Sequence, residues 1–189
     1  MDKRDNDIWD AFRQGDREAF ELLLLRYYRA LFDYGLRFQP DPDQLRDDLH
    51  DLMISLWERR AFLQPTEHLK LYLFKALRHQ IFRGKQRLAS SESLNAELAD
   101  TLEVNDWNAS EEDEQIRTLH IQKVMRRLTR RQQEILHLRF FEDLTHAEIA
   151  ELLNISRPAV ANLLYTALKA FRSLWKGEFF PLLLFLMTQ

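Results

Sequence analysis

Apolar residues between Phe20 and Leu31 fall at Phe20, Leu23, Leu24, Tyr27, Tyr28 and Leu31. This i, i+3, i+4, i+7, i+8, i+11 spacing is one that a helix gathers onto a single face, and all six are expected to be buried in the core. The same period returns in Leu45, Leu49, Leu52, Met53, Leu56 and Trp57, and again in Val160, Leu163, Leu164, Ala167, Leu168 and Phe171. The 189 residues include only four Gly and five Pro and little β-branched alternation, so strands have few places to form. The chain therefore reads as all-α. Its 46% hydrophobic content is enough for packed interiors and argues against wholesale disorder.

The periodic segments are separated by recognisable breaks. A short first helix is predicted over Asp7–Arg13, ended by Gly15, and Asp16 is a good N-cap for the next. "QPDPDQ" (39–44) reads as a loop before the third helix. "FLQPTEH" (62–68) reads as a second loop, because Pro65 disfavours helix at Gln64. A fourth helix is predicted from about Leu69 to Gln86. From Leu88 to Ile116 there are nine acidic residues, no Lys or Arg, and only weak periodicity, which marks a tether. The expected organisation is a helical domain over 1–87, an acidic linker over 88–110, a second helical domain over 111–176 and an apolar tail over 177–189. There is no internal repeat.

Net charge is only −3, but its distribution is uneven. Lys75–Arg87 holds five basic residues and no acidic one, and Lys123–Arg139 holds six basic and one acidic, giving two basic patches on either side of the acidic tether. The absence of cysteine excludes disulfides, Cys-ligated zinc and thiol nucleophiles, and fits a reducing cytosol. "MDKRDNDIWDAF" is too charged for a signal peptide. "FFPLLLFLM" (179–187) is too short for a bilayer span of about 20 residues. A cytoplasmic location is expected.

"THAEIAELLNISRPAVANLLYTALKAF" (145–171) has the outline of a helix, a tight turn and a second helix. Thr145 caps the leading helix, with Glu148 in the reciprocal position of a capping box. Ile155 in the "NIS" turn is expected to plug the core, Ser156 caps the second helix, and Pro158 fits its first turn. With Val160, Leu164 and Phe171 facing inward, the outer face carries Arg157, Ala161, Asn162, Tyr165 and Lys169. Ala161 is small enough for close approach to a thymine methyl. Arg130, Arg131 and Arg139 are placed to add phosphate contacts. A plain helical hairpin is the other reading of this outline. The basic run "RRLTRRQQ" (126–133) favours nucleic acid.

Two faces of the N-terminal half are chemically distinct. On the helix 45–58, Asp47, Asp51, Ile54 and Glu58 lie outside the core, either as a docking stripe for a basic partner helix or as a solvated face. On the next helix, Lys75, Arg78, His79, Phe82, Arg83 and Arg87 lie near one another, basic residues for phosphates around a Phe82 expected in the core rather than as a stacking platform.

"LTRRQQEILHLRFFEDLTHAEIAELLNISRPAVANLLYTALKAFR" (128–172) resembles the promoter-binding C-terminal domain of bacterial sigma factors. "DQLRDDLHDLMISLWERR" (43–60) followed by "HLKLYLFKALRHQIFRGKQR" (68–87) resembles their N-terminal domain. Two such domains with nothing large between them look like the extracytoplasmic-function group. The resemblance implies a non-catalytic subunit of RNA polymerase with no cofactor and no small-molecule substrate, monomeric when free. Its partners would be core RNA polymerase, promoter DNA and an anti-sigma factor. It implies −35 recognition by Arg130, Arg131, Arg139, Thr145, His146, Arg157, Ala161, Asn162, Tyr165 and Lys169. It implies docking on the polymerase through Asp47, Asp51, Ile54 and Glu58. Binding and melting of the −10 element would fall to Gln64, Thr66, His68, Lys75, Arg78, His79, Arg83 and Arg87, the loop Gln64–His68 receiving a base flipped from the strand. The linker would thread toward the active site and RNA exit path of the polymerase. The chain departs from the pattern at Ala161, where relatives often carry a basic residue, and in its apolar tail.

Three rivals stand beside this reading. "RDDLHD", with His68 and His79, raises a metal-dependent phosphohydrolase, but there is no Gly-rich phosphate loop and no convincing nucleophile–base set. A stand-alone helix-turn-helix regulator acting as a dimer would bind duplex DNA without polymerase. A protein that sequesters another sigma factor would bind that factor and start no transcription.

Overall fold

Asp16, Asp41, Thr129, Thr145 and Ser156 each turn a side-chain oxygen onto the backbone N–H groups of the helix that follows, and these caps delimit most of the fold in the computed structural model. The structure describes residues 3–89, 121 and 123–175, with side chains in the first stretch from 5 to 84. The fold is all-helical, with no strand among the described residues. Among them, too, no helix is long and apolar enough to cross a membrane. The chain divides into two compact units, Met1–Ala99 and Asp100–Gln189. The apolar tail 177–189 lies outside the described residues, as does the acidic linker from residue 90 onward.

The first unit comprises α1 (Lys3–Arg13), α2 (Arg17–Gly35), α3 (Pro42–Arg59), a 3-10 turn (Arg60–Phe62) and α4 (Leu69–Ala89). Helix α1 starts before the predicted Asp7. Its first turn is held by a tertiary contact that no local signal announces: Asp5 accepts a 2.7 Å hydrogen bond from the Tyr27 hydroxyl and pairs with Arg26. Gly15, at φ +95°, makes the bend into α2, a conformation that costs glycine little. Asp16 then accepts from the N–H groups of Glu18 and Ala19 at 2.9 and 3.2 Å.

Helix α2 buries Ala19, Leu23, Tyr27, Leu31 and Tyr34. The expected burial of Tyr28 is not seen, since it is 40% exposed. The buried stripe is centred on Leu23, Tyr27 and Leu31, so Phe20, Leu24 and Tyr28 form the next row round the helix, at the edge of the core. Gly35 ends the helix against α3, where a methyl group added to it would lie 2.5 Å from Leu45 Cδ1. Leu45, Leu49, Leu52, Met53 and Leu56 of α3 are buried as the periodicity predicts, and Trp57 is half-buried.

Aromatic rings join the helices. Phe12 of α1 stacks on Phe20 of α2 at 5.3 Å, Phe20 meets Trp57 of α3 at 5.2 Å, and Tyr34 meets Phe74 of α4 at 4.9 Å. The Gln80 side-chain amide of α4 donates to the backbone carbonyl of Asp48 at 2.7 Å. Burial holds the Asp48 carboxyl above its ordinary pKa of 3.8, and the charges of Asp51 and Asp47 push the same way, against hydrogen bonds from Gln44 and Gln39.

The second unit comprises α5 (Arg130–Phe140), α6 (His146–Leu153) and α7 (Arg157–Leu174). Thr129 with Gln132, and Thr145 with Glu148, form reciprocal capping boxes. Asn154, left-handed at φ 52°, closes α6, and Ser156 opens α7 by accepting from Ala159 N–H at 3.3 Å. Only Asn154, Ile155 and Ser156 separate the two helices. Ile155 is half-buried rather than a full plug, as are Leu163 and Leu168; the closed stripe of α7 is Val160, Leu164, Ala167 and Phe171.

Gly35→Ala gains about 1 kcal/mol of helix propensity but inserts a methyl against a fully buried leucine, which typically costs about 1–3 kcal/mol. A net loss of about 1 kcal/mol is expected in urea unfolding, and a larger loss for Gly35→Val, whose helix propensity is poorer. Asp48→Asn is expected to raise the melting temperature at pH 7. The raised pKa makes the protonated carboxyl the more stable folded form, so folding gains stability below the ordinary carboxylate range and loses it as pH rises through the raised value. The advantage of the variant therefore shrinks as pH falls and Asp48 protonates, which paired melting curves at pH 7 and pH 4 would read.

Candidate nucleic-acid interface

In the second unit, the three-residue turn fixes α7 against α6 and leaves one strip of α7 uncovered. Arg157, Ala161, Asn162, Tyr165 and Lys169 are all exposed on it, Tyr165 at 66%. They recur at intervals of one, three or four residues and share one side of the helix. The strip begins where backbone N–H groups and the helix dipole favour negative charge.

The flanking residues are partly committed to the fold. Thr145 and His146 lie exposed at the start of α6, but the Thr145 hydroxyl donates to Glu148 Oε2 at 2.7 Å and accepts from its N–H at 3.2 Å. Arg131 pairs with the buried Glu134 at 2.9 Å. Arg139 reaches Asp143 at 3.3 Å and the Leu144 carbonyl at 3.4 Å, bracing the turn between α5 and α6. Arg130 is half-buried at the first position of α5. Of the predicted phosphate contacts, Arg131 and Arg139 thus spend part of their charge internally.

A buried polar pair lies nearby that the sequence does not announce. His137 Nε2 sits 3.1 Å from Glu142 Oε1, both side chains almost fully covered, and the imidazole stacks on Phe141 at 5.3 Å. The pair joins the end of α5 to the turn that follows. Its only sequence signal is a polar residue, His137, in an otherwise apolar stretch of α5.

In the first unit, Gln64 and His68 are exposed in the loop before α4, and Thr66 is half-buried. The Thr66 hydroxyl accepts from the His68 N–H at 3.1 Å, a local turn leading into α4. The entry of the loop is held from α1: Trp9 Nε1 donates to the Gln64 carbonyl at 3.0 Å and Arg13 Nε to the Leu63 carbonyl at 2.7 Å. Sequence periodicity could not have revealed bonds across 55 and 50 residues.

On α4, His79 and Arg83 are exposed, and Lys75 and Arg78 are half-buried. The Arg87 side chain lies outside the described residues. Phe82 is half-buried, with Phe38 at 5.6 Å and the Arg78 guanidinium 4.7 Å from its ring centre. It is a wall of the core with a cation over one face.

On α3, Asp47, Asp51, Ile54 and Glu58 are all exposed, Ile54 at 44%. Beside them is an open groove of about 620 Å³ between α2 and α3. Its apolar lining is Phe20, Leu24, Tyr28, Met53, Ile54 and Trp57, so Ile54 belongs to both the groove and the acidic face. Sequence reasoning missed the groove because it assigned Phe20, Leu24 and Tyr28 to the core. Among the described residues no three His, Asp or Glu side chains gather as a metal site.

Residues 119–171, which include this helix-turn-helix, match the family model "Sigma-70, region 4". No curated protein matches the chain. Among solved structures, the chain is similar to CnrH in complex with the cytosolic domain of CnrY, with 17% identity and a TM-score of 0.60 over 90% of this chain and 96% of that one. It is similar also to the sigma factor RpoE in complex with the anti-sigma factor NepR from Bartonella quintana, with 17% identity and a TM-score of 0.64 over 84% of this chain and 98% of that one. The second unit thus carries a sigma-70 region 4 domain, and the chain shares the fold of CnrH and of the sigma factor RpoE.

Proposed function

We propose that this chain is a sigma factor that binds core RNA polymerase, recognises −35 and −10 promoter elements and promotes DNA melting. The observation that carries the reading is the presence, in one chain, of a region 4 helix-turn-helix with an exposed polar strip and of a second helical unit bearing a basic helix behind an exposed loop. A duplex reader alone needs only the first of these.

In this reading the α7 strip enters the major groove. Arg157 and Asn162 reach base edges, Ala161 lets the helix approach closely, and Lys169 with Arg130, Arg131 and Arg139 meets phosphates, Tyr165 and the start of α6 at Thr145 and His146 completing the contact. The strip has few charges, so the contact is modest by itself. The loop Gln64–His68 receives an unstacked base of the −10 element, while Lys75, Arg78, His79, Arg83 and Arg87 hold its backbone. Asp47, Asp51, Ile54 and Glu58 dock on the polymerase, with the adjoining apolar groove supplying area for an amphipathic partner helix. The reaction chemistry stays with the polymerase, and this chain contributes binding energy that offsets the cost of opening the duplex. The RpoE relative is seen with an anti-sigma factor; an anti-sigma partner for this chain fits the same fold.

The direct test is transcription in vitro with core RNA polymerase on genomic promoter fragments, with 5′ ends mapped. Defined starts that appear only with the protein are expected; absence of core binding would overturn the reading. Ile54→Arg is expected to weaken core binding by roughly tenfold or more, as a charge placed in a desolvated apolar contact does, measured by titration against labelled polymerase. Lys169→Ala is expected to lower affinity on all promoter sequences alike and to reduce the salt slope by about 1, whereas Asn162→Ala should cost about 1–3 kcal/mol and relax preference at one −35 position.

A further inference from the structure

We infer that Trp9 and Arg13 are positioning residues for single-strand capture: from α1 they fix the entry of the loop 63–68 so that it is already shaped before DNA arrives. The inference rests on the proposed function and deepens it at the −10 element.

Two consecutive backbone carbonyls of the loop, Leu63 and Gln64, are each taken by a side-chain donor from the same helix. Both donors are themselves held. Trp9 is buried, its ring 5.2 Å from Phe12 and 5.4 Å from Tyr72, the latter on the first turn of α4. The Arg13 guanidinium is anchored at Nη1 by Asp10 Oδ1 at 2.9 Å, which leaves Nε aimed at the Leu63 carbonyl. Leu63 is buried, and the exit of the loop is set by the Thr66–His68 turn. The backbone of the segment is thus held at both ends, while Gln64, Pro65, Glu67 and His68 are exposed along it.

A loop that must order itself on binding loses affinity to that ordering, and one already ordered does not. The consequence is sharper for discrimination than for affinity. A misplaced pocket still meets the strand backbone through α4, but no longer tells one extruded base from another. Trp9 and Arg13 touch no DNA in this arrangement. They act through the carbonyls that orient Gln64 and its neighbours.

The test uses full-length variants in complete holoenzyme. Trp9→Phe keeps a ring against Phe12 and Tyr72 and removes the N–H. Arg13→Met keeps the unbranched stem and removes the donor, and Arg13→Lys returns a cationic donor. Binding to single-stranded −10 oligonucleotides is measured for the preferred sequence and for each single-base substitution, next to core affinity and circular dichroism. Each donor-removing variant is expected to lower the ratio between preferred and substituted strands by about tenfold, the factor carried by one well-made hydrogen bond to a charged group or a strong neutral one. Core affinity should be unchanged, and Arg13→Lys should recover part of the ratio. An unchanged ratio, or an equal loss on every strand, would overturn the inference while leaving the sigma reading in place. A wild-type holoenzyme that fails to bind −10 strands would remove both.

Discussion

The first unit is organised by one close approach, that of the Gly35 backbone to the Leu45 side chain. Because nothing larger than hydrogen fits at Gly35 without displacing a buried leucine, the end of α2 and the start of α3 are drawn together at that point. Further along the two helices, Phe20 meets Trp57, and both rings line the groove that opens between α2 and α3. The acidic face of α3 takes its direction from the same contact, since turning Leu45, Leu49 and Leu56 inward turns Asp47, Asp51, Ile54 and Glu58 outward. The bond from Gln80 to Asp48 then sets α4 against the same helix. The acidic face of α3 and the basic face of α4, proposed above for polymerase and for DNA, are in this way two sides of one packing arrangement.

Helix identity was legible because it is written in local spacing. The caps at Asp16, Thr145 and Ser156, the turn Asn154–Ser156, and the inward residues of α3 and α7 follow from residues within a few positions of each other. The exposed strip of α7 was legible for the same reason. What escaped was set over long distances or at the edges of stripes. The start of α1 depends on Asp5 meeting Tyr27. Tyr28 lies one row beyond the buried stripe, and no periodicity argument resolves a shift of one row when Phe20, Leu24 and Tyr28 are as apolar as their neighbours. The clamp from Trp9 and Arg13 and the His137–Glu142 pair need the fold before they exist at all.

The two surfaces proposed to face DNA, one in each unit, are of limited strength. The α7 strip has two charged residues, and two of its flanking arginines are shared with Glu134 and Asp143. On α4, Arg78 lies over Phe82 rather than standing clear. Weak heads on a common chain are suited to joint engagement, because binding of one raises the effective concentration of the other. In the proposed function, selectivity then comes from the requirement that both elements be present, and release remains easy once one contact is lost.

The side-chain caps have a kinetic counterpart. Each begins its helix with residues no more than three positions apart, and in each unit most packing joins a helix to the next or the next but one in sequence. Folding of such a topology closes mostly short loops, the bonds from α1 to residues 63 and 64 being the longer exception, which places it among fast-folding arrangements. Among the described residues, the core of the first unit is built from α1 to α4 and the turn between α3 and α4. That unit can therefore complete its core during synthesis, while region 4 is still to be made, so that the half proposed to dock on polymerase exists before the helix-turn-helix does.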